Sequence, residues 1–240
     1  MRIRPHGIFW EREMKVSVVK NILEANQLIA EENRRRFEEN GLLVINLMSS
    51  PGAGKTTLLE KTIHLLKNQY KVGVVEGDIQ STYDAERIGK TGAPVVQINT
   101  GGACHLDSNM VREALKKIEI RHLNLLFIEN VGNLVCPAEF QLGEHFKVMI
   151  LSVAEGDDKP LKYPLMFQES RVLLISKIDL LPFCDCSVSL IEERARKINP
   201  DLEIFPVSCR TGEGLEGWTA WLRNQMKKQE GPPKTTEPSA

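Results

Sequence analysis

The chain has 240 residues, of which 42% are hydrophobic and 26% are charged, and its formal net charge is -1. This balance predicts neither nucleic acid nor an anionic membrane as a partner, and no apolar run approaches the roughly 20 residues that cross a bilayer. We therefore expect a cytoplasmic protein with a sizeable core, whose five cysteines are reduced and serve packing or metal binding rather than disulfides.

An N-terminal helical extension is predicted over residues 1–40. Within it, residues 11–40 carry apolar side chains whose spacing places them on one helix face: Val16, Val19, Ile22, Leu23 and Ile29. Asn40 and Gly41 are typical of a helix end, because glycine adopts the left-handed conformation that closes a helix. The charged residues between positions 31 and 36 are typical of a solvated helix face.

A phosphate-binding loop is predicted where the chain reads Ser-Ser-Pro-Gly-Ala-Gly-Lys-Thr, from Ser49 to Thr56. Gly52 and Gly54 allow the backbone to curl so that several N–H groups point at phosphate oxygens. Lys55 can reach the β- and γ-phosphates, and the Thr56 hydroxyl suits a Mg²⁺ ion that bridges them. Ser49 stands where the pattern usually has its first glycine. The predicted nucleotide-binding residues of this loop are Ser50, Gly52, Ala53, Gly54, Lys55, Thr56 and Thr57.

Strands and helices alternate after this loop, which predicts an α/β domain with a mostly parallel sheet flanked by helices. The apolar runs predict strands at 42–48, 72–76, 94–98, 123–128, 147–153, 171–176 and 203–207. The helical patterns cover 55–69, 83–90, 108–118, 188–198 and 214–227. We expect residues 41–228 to form this domain and residues 229–240, rich in Pro and Thr, to form a disordered tail.

Two acidic residues are predicted at the carboxyl ends of strands, where the ligands of such sheets gather. Asp78 and Glu129 are candidate Mg²⁺ ligands, and Asp78 is also a candidate for orienting the attacking water. In Glu129-x-x-Gly132, the Gly132 N–H can contact the γ-phosphate and sense its removal. Lys55, Asp78, Glu129 and Gly132 are therefore the candidate catalytic residues. No further lysine or arginine is recognisable as a charge-stabilising group, which predicts slow intrinsic hydrolysis or help from a partner.

A guanine-reading segment is predicted where the chain reads Ser-Lys-Ile-Asp, from Ser176 to Asp179, which resembles the Asn-Lys-x-Asp motif of GTPases. The Asp179 carboxylate can accept hydrogen bonds from N1–H and from the exocyclic amine of guanine, a donor pair that adenine lacks. Each such bond contributes roughly 1.5–3 kcal/mol, so this residue can decide between GTP and ATP. Lys177 can lay its stem along the base. Ser208 and Cys209 follow the last predicted strand, where GTPases present a backbone N–H to guanine O6.

A soft-ligand metal site is one interpretation of Cys104, His105 and Cys136, which lie in two loops at the nucleotide end of the predicted sheet. Two thiolates and an imidazole suit Zn²⁺ or Ni²⁺. The spacing alone favours buried structural cysteines. The neighbouring side chains of Cys104 and His105 tend to diverge, so a site shared across a dimer axis is an alternative. Cys184 and Cys186 form a further pair, but no third ligand is evident near them.

Taken together, these segments resemble the hydrogenase nickel-incorporation GTPase family. The resemblance covers residues 42–215 in order and is carried by LMSSPGAGKTTLLEK, VVEGDIQSTYDAERIG, VQINTGGACHLD, LLFIENVGNLVCPAEFQLGE, ILSVAEGDDKPLKYPLMF, ISKIDLLP and FPVSCRTGEG. It implies a P-loop NTPase fold of the SIMIBI type, Mg²⁺-dependent GTP hydrolysis and GTP-dependent homodimers. It also implies that Cys104, His105 and Cys136 form a Zn²⁺ or Ni²⁺ site at the dimer interface.

The resemblance further implies delivery of nickel to the precursor of the [NiFe]-hydrogenase large subunit, together with a small zinc-containing partner protein, HypA. Many members carry an N-terminal Cys-rich or His-rich nickel motif. Residues 1–40 contain no cysteine and only His6, so we expect nickel handling to depend on the site in the main domain. We expect GTP and Mg²⁺ to order the loops at Asp78 and Glu129 and thereby to reposition Cys136.

Three other interpretations stay open at this point. The urease accessory GTPases share the phosphate loop and the guanine motif but show Cys-Pro-His where this chain has Cys104 and His105. A GTPase that guards cobalamin-dependent mutases would need no metal ligands at these positions. A non-enzymatic metal-storage or scaffold protein would lack GTP turnover. Cys136 and the EGDDKPLKYP stretch favour the hydrogenase interpretation.

Overall fold

The computed structural model describes residues 9–78 and 82–229, with side chains from Asn21 onward. It contains the strands β1 (Leu43–Ser49), β2 (Val72–Asp78), β3 (Val95–Asn99), β4 (Leu125–Glu129), β5 (Phe146–Ser152), β6 (Val172–Ser176) and β7 (Glu203–Val207). They form one parallel sheet in the order β3-β2-β4-β1-β5-β6-β7. The predicted parallel sheet flanked by helices is therefore confirmed, and each predicted strand is present with ends shifted by at most two residues.

Helices cover both faces of this sheet. In chain order they are α1 (Phe9–Glu39), α2 (Lys55–Leu66), α3 (Tyr83–Gly89), α4 (Ser108–Ala114), α5 (Cys136–Glu139), α6 (Lys159–Lys162), α7 (Pro164–Glu169), α8 (Val188–Ile198) and α9 (Leu215–Gln229). The short helices α5, α6 and α7 were not predicted, because four to six residues are too few to show a helical period. No described helix combines the length and the apolar character of a membrane span. Residues 1–8 and the predicted tail after Gln229 lie outside the described residues.

The core lies on both sides of the sheet, because successive side chains of a strand point to opposite faces. In β1, Leu43, Ile45 and Leu47 pack in one buried cluster with residues of α2 and α9. Leu42 and Val44 belong to a second cluster that includes residues of α1 and α4. A third cluster lies under α7 and α8. This burial on both faces explains why the strands are nearly continuous apolar runs.

The order of the strands determines which loops meet. β1 lies between β4 and β5, and β2 lies on the other side of β4. All seven strands are parallel, so the phosphate loop after β1 and the segments after β2 and β4 lie at the same edge of the sheet. In the register of β2 and β4, Glu76 is directly opposite Glu129. The fold therefore brings residues from three distant segments to one edge.

Candidate nucleotide cleft and metal centre

A cleft of about 460 Å³ opens at the carboxyl ends of β1, β2 and β4. Its lining includes nine residues that the sequence predicted to contact nucleotide or Mg²⁺: Gly52, Gly54, Lys55, Thr56, Thr57, Asp78, Glu129, Gly132 and Lys177. The predicted residues outside this lining are Ser50, Ala53, Asp179, Ser208 and Cys209. The cleft therefore gathers the predicted Mg²⁺ contacts and most of the predicted phosphate contacts, and Lys177 is the predicted guanine contact that reaches it.

The backbone of the phosphate loop has the curled form that its glycines allow. Gly52 has a φ of 76° and Gly54 a φ of 104°, both in the left-handed region that favours glycine, and α2 begins directly after Gly54. Ser49, which replaces the usual first glycine, is a buried residue of β1 without a positive φ. Its Oγ accepts a hydrogen bond of 2.9 Å from Lys55 Nζ. Burial lowers the pKa of Lys55, and nearby carboxylates, Glu129 first among them, oppose this effect.

Glu129 and Thr56 are hydrogen-bonded to each other in the lining of the cleft. The Thr56 hydroxyl donates to Glu129 Oε1 at 2.9 Å, whereas Glu129 Oε2 is buried without a hydrogen-bond partner among the described residues. Burial raises the pKa of Glu129 to about 7, while Lys55 and the Thr56 hydroxyl act in the opposite direction. A cation such as Mg²⁺ would satisfy this orphaned oxygen, and oxygen donors are the ligands that Mg²⁺ prefers. The donor set therefore fits the ion.

Glu76, which no sequence motif singles out, is a second buried carboxylate in the same cleft. Glu76 faces Glu129 across the β2–β4 pair, only 2% of its surface is exposed, and its Oε2 also lacks a partner among the described residues. Burial raises the pKa of Glu76 to about 8, and the neighbouring charges of Glu129 and Asp78 add to the rise. An acidic residue within an apolar strand was visible in the sequence, but its partner across the sheet depends on the register.

We expect Glu76→Gln to stabilise the nucleotide-free protein and to weaken binding of Mg²⁺–nucleotide. A carboxyl whose pKa rises on folding binds its proton more tightly in the folded state, so stability is lost as pH increases from 4.5 to about 8. Removing the charge should raise the free energy of unfolding by on the order of 2 kcal/mol at pH 8. The gain should shrink towards pH 5. Urea unfolding and fluorescent-nucleotide titration measure the two effects.

The matched control for this prediction is Glu216→Gln, which removes an exposed carboxylate in the first turn of α9. It should change neither the stability at pH 8 nor the affinity for Mg²⁺–nucleotide. If Glu76→Gln binds Mg²⁺–nucleotide as tightly as the parent, the carboxylate pair is not a cation site.

Other walls of the cleft come from loops that approach the phosphate loop closely. A Cβ added to Gly132 would lie 2.9 Å from the backbone N and Cα of Pro51, so only glycine permits this contact. The Ser50 hydroxyl donates to Glu155, which follows β5. Asp78, the last residue of β2, also lines the cleft. The Gly132 loop therefore lies in tight contact with the phosphate loop.

Arg87 on α3 also lines the cleft, although sequence analysis recognised no such cation. Its guanidinium donates to Glu60 at 2.6 Å, to Thr57 at 3.0 Å and to Asp84 at 3.2 Å. Two carboxylates already neutralise this charge, and Glu60 and Thr57 both belong to α2. In this arrangement the hydrogen bonds of Arg87 link α3 to α2. Arg87 would have to break them to contact a phosphate.

The predicted guanine segment is tied directly to the phosphate loop. Lys177 has a φ of 60°, the only positive φ of a non-glycine residue within the described ranges. Its Nζ donates to the Gly52 carbonyl at 2.7 Å. Ser176, which replaces the usual asparagine, donates its hydroxyl to the Ala53 carbonyl at 2.7 Å. The serine therefore provides a link between the two loops.

Asp179 lies next to the loop that follows β7. Its Oδ1 accepts a hydrogen bond of 2.6 Å from the Ser208 hydroxyl, and Arg210 lies 3.9 Å from its Oδ2. Cys209 packs at the edge of the core, and burial raises the pKa of its thiol to about 11. The geometry thus orients the Asp179 carboxylate, and Cys209 stays a neutral packing residue.

The loops after β3 and β4 bring Cys104, His105 and Cys136 together, with their ligand atoms all within 4.8 Å of one another. Cys104 Sγ lies 3.1 Å from Cys136 Sγ and 3.6 Å from His105 Nδ1. The expectation that the neighbouring side chains of Cys104 and His105 diverge is therefore wrong. The alternative of buried structural cysteines fails as well, since Cys104 is exposed and Cys136 is half-buried. Among the residues whose side chains are described, no other such group occurs, so Cys184 and Cys186 lack a third ligand.

The surroundings of this cluster suit metal coordination. The His105 ring packs on Phe140 with ring centroids 3.9 Å apart, which fixes its plane. Burial lowers the pKa of His105, which favours the neutral imidazole that binds metals. A hydrogen bond with Cys104 raises the pKa of Cys136. Cysteine binds metals as the thiolate, so this hydrogen bond opposes the form that Cys136 needs for coordination.

Comparison with known proteins agrees with this combination of sites. A family model described as the CobW/HypB/UreG nucleotide-binding domain matches residues 43–206. Hydrogenase maturation factor HypB of Azotobacter chroococcum is 52% identical over 222 residues, 92% of this chain and 73% of the relative. The same factor of Escherichia coli is 48% identical over 219 residues, 91% of this chain and 75% of the relative.

A solved structure is similar over nearly the whole described fold. It is the crystal structure of HypB from Helicobacter pylori in complex with nickel, with a TM-score of 0.82 and 39% identity. The match covers 88% of this chain and 99% of that chain. The chain therefore belongs to the hydrogenase maturation factor HypB family, within the wider CobW/HypB/UreG group.

Proposed function

We propose that this chain is a GTP-hydrolysing metallochaperone that inserts nickel into the precursor of the [NiFe]-hydrogenase large subunit. One observation carries the proposal: Cys104, His105 and Cys136 converge within 4.8 Å on the loops after β3 and β4, and β4 ends in the phosphate-loop cleft. A triphosphate and a soft cation would then act on the same loops. We assign this activity to residues 41–228, with residues 1–40 as an extension.

The proposed hydrolysis uses residues of the cleft in distinct roles. Lys55 and the N–H groups of the phosphate loop bind the β- and γ-phosphates, and the positive end of α2 supports them. Thr56, Glu129 and Glu76 would hold Mg²⁺, directly or through water, and the ion would neutralise charge on the phosphates. Asp78 orients the water, which attacks the γ-phosphorus. The bond to the oxygen of GDP breaks, and inorganic phosphate leaves.

Guanine choice is proposed to depend on Asp179. Asp179→Asn should weaken GTP binding by about 10- to 150-fold, the equivalent of roughly 1.5–3 kcal/mol for a lost charge-assisted hydrogen bond. The asparagine amide offers one acceptor and one donor, and that donor matches the 2-oxo group of xanthine. Binding of xanthosine triphosphate should therefore improve. Displacement of a fluorescent nucleotide by GTP and by xanthosine triphosphate measures both effects.

Asp201→Asn, an exposed substitution before β7, serves as the control and should leave both affinities unchanged. Equal binding of GTP and xanthosine triphosphate by the parent protein would remove Asp179 from base recognition.

Nickel is the proposed cargo. Three donors leave at least one coordination position open, because Zn²⁺ and Ni²⁺ take four or more ligands in proteins. Cys104 is exposed, and Val135, beside Cys136, is apolar yet 52% exposed. We propose that a second copy covers this surface in the GTP-bound homodimer. GTP hydrolysis would weaken nickel binding at this site, so that nickel passes to the precursor with the help of HypA. Zn²⁺ would compete with Ni²⁺ for the same three donors.

A complementation experiment tests the proposed function. In a related host that lacks its own nickel-insertion GTPase, this chain should restore nickel in the hydrogenase large subunit, measured by mass spectrometry of the metal. Cys104→Ala should fail, whereas Cys184→Ala should succeed. Restoration of urease without hydrogenase would favour the urease alternative. Sedimentation with GDP and with a non-hydrolysable GTP analogue tests the homodimer, and a monomer in both states would contradict that part.

A further inference from the structure

Asn130 is buried between the nucleotide cleft and the metal centre, with 1% of its surface exposed, and it lines the cleft. Its Oδ1 accepts two backbone hydrogen bonds. One comes from Val131 N at 2.9 Å, on the segment that leads to Gly132. The other comes from Leu106 N at 3.0 Å, directly after the metal-ligand candidate His105. A single amide oxygen therefore joins a nucleotide-facing loop to a metal-ligand loop.

A buried polar chain fixes the orientation of this amide. Asn130 Nδ2 donates to Asn46 Oδ1 at 3.2 Å, and Asn46 Nδ2 donates to Glu144 Oε1 at 3.1 Å. Glu144 Oε2 accepts a hydrogen bond of 2.6 Å from Leu142 N. All three polar side chains are buried. Because a buried donor without an acceptor is costly, this chain keeps the Asn130 oxygen directed at the two loops.

Leu106 gives the metal-ligand loop a second contact with the wall of the cleft. Its side chain is fully buried and packs so closely on Gly77 that a Cβ added there would lie 2.8 Å away. Gly77 lies between Glu76 and Asp78, and all three line the cleft. A shift of β2 or of the segment after β4 therefore changes the position of Leu106, and with it that of His105.

We propose that Asn130 is the positioning residue that transmits the nucleotide state to the metal ligands His105 and Cys136. This inference rests on the proposed function, because it names the regulation of the same metal site. When the segment at Val131 moves toward or away from the γ-phosphate, the hydrogen bonds of Asn130 move Leu106 in the same direction. The geometry of His105 relative to Cys136 then changes, although none of the proposed metal ligands lines the cleft. The two loops joined by Asn130 are the structural element whose conformation both the nucleotide and the metal ion would shift.

Nickel affinity measured in two nucleotide states tests this role. Ni²⁺ is titrated against a chromophoric chelator in excess Mg²⁺–GDP and in excess Mg²⁺ with a non-hydrolysable GTP analogue. For the parent we expect the two Kd values to differ by at least about 10-fold, within the range of 5- to 150-fold that is typical of allosteric coupling. Asn130→Ala should bind Ni²⁺ in both states with Kd values within about twofold of each other.

Asn199→Ala is the matched control. Asn199 is a half-buried asparagine whose amide donates to the backbone carbonyls of Phe167 and Ser170, and it bonds neither to the two loops joined by Asn130 nor to the polar chain. In this variant, the ratio of the Ni²⁺ Kd values in the two nucleotide states should equal that of the parent. Its comparison with Asn130→Ala separates a specific link from a general loss of buried hydrogen bonds.

The outcomes distinguish the inference from the function on which it rests. Coupling in Asn130→Ala equal to that of the parent would overturn the role of Asn130 alone. Identical Kd values in the parent would overturn the nucleotide switch and this inference with it. If Asn130→Ala does not fold, hydrogen exchange of the Leu106 amide in the parent decides: its protection should differ at least about tenfold between the two nucleotide states. Equal protection would overturn the inference.

Discussion

Lys55→Ala is expected to reduce GTP turnover by at least about 100-fold, since removing one group aimed at transition-state charge typically costs 10²–10³ in rate. Lys55 lies in the cleft, and its Nζ is held by the Ser49 hydroxyl at 2.9 Å. Burial lowers the pKa of Lys55, so the ammonium is poorly solvated without an anion, and a bound phosphate would compensate it. Release of inorganic phosphate from GTP in the presence of Mg²⁺ measures the effect.

Lys67→Ala is the control for this prediction, because Lys67 is an exposed lysine at the opposite end of the same helix, α2. Its turnover should equal that of the parent, and both variants should unfold at similar denaturant concentrations. If Lys55→Ala instead hydrolyses GTP at a rate within about threefold of the parent, the prediction is contradicted. The cleft would then not act as a phosphate-binding site. Absence of turnover in the parent would instead support a scaffold or storage protein.

The double substitution Cys104→Ala/Cys136→Ala should weaken Ni²⁺ binding by about 10³-fold or more, which is about 4 kcal/mol. The two sulfur atoms lie 3.1 Å apart and supply two of the three donors in the cluster. His105 alone cannot hold the ion, because a single imidazole leaves most of the coordination sphere to water. Competition with a chelator measures the affinity for Ni²⁺ and for Zn²⁺.

Cys184→Ala/Cys186→Ala removes the same number of thiols from a pair without a third ligand, and it should leave metal affinity unchanged. GTP turnover in the presence of Mg²⁺ but without added Ni²⁺ or Zn²⁺ should survive in both double variants, because neither removes a residue that lines the cleft. Unchanged metal binding in Cys104→Ala/Cys136→Ala would remove the proposed site and favour a metal-independent G-protein chaperone.

Much of the candidate nucleotide-binding site was predictable from the sequence, because its motifs consist of residues that are close together in the chain. The Gly-x-Gly-Lys-Thr loop needs a strand before it and a helix after it, and both are present as β1 and α2. Ser49 illustrates the same point, since its unstrained backbone explains why the first glycine can be replaced. The nearly continuous apolar strands predicted a sheet that is covered on both faces, as the structure shows.

Contacts that depend on strand register and loop conformation were not predictable from the sequence. Glu76 is one acidic residue in a strand, and only the register of β2 against β4 makes it the neighbour of Glu129. The convergence of Cys104 with His105 depends on the backbone of one loop, for which residue spacing gave the opposite expectation. Arg87 was missed because the VVEGDIQSTYDAERIG segment that contains it has no residue pattern that assigns a cation to the cleft.

The two buried carboxylates with unsatisfied oxygens support the proposed cation site. Glu76 and Glu129 are buried side by side, and each has an oxygen without a partner among the described residues. Such a pair destabilises the nucleotide-free protein and is relieved when a cation binds. Residues of this kind are typical of functional sites rather than of cores.

Measurements of reciprocal binding test whether nucleotide and soft metal are coupled through the loops that they share. If the nucleotide state changes the affinity for nickel, nickel must change the affinity for the nucleotide by the same factor. The affinity of the non-hydrolysable GTP analogue is therefore measured by calorimetry with and without saturating Ni²⁺. We predict a change of at least about fivefold, which is abolished in Cys104→Ala/Cys136→Ala. Identical affinities with and without Ni²⁺ would contradict the coupling and leave a GTPase beside an independent metal site.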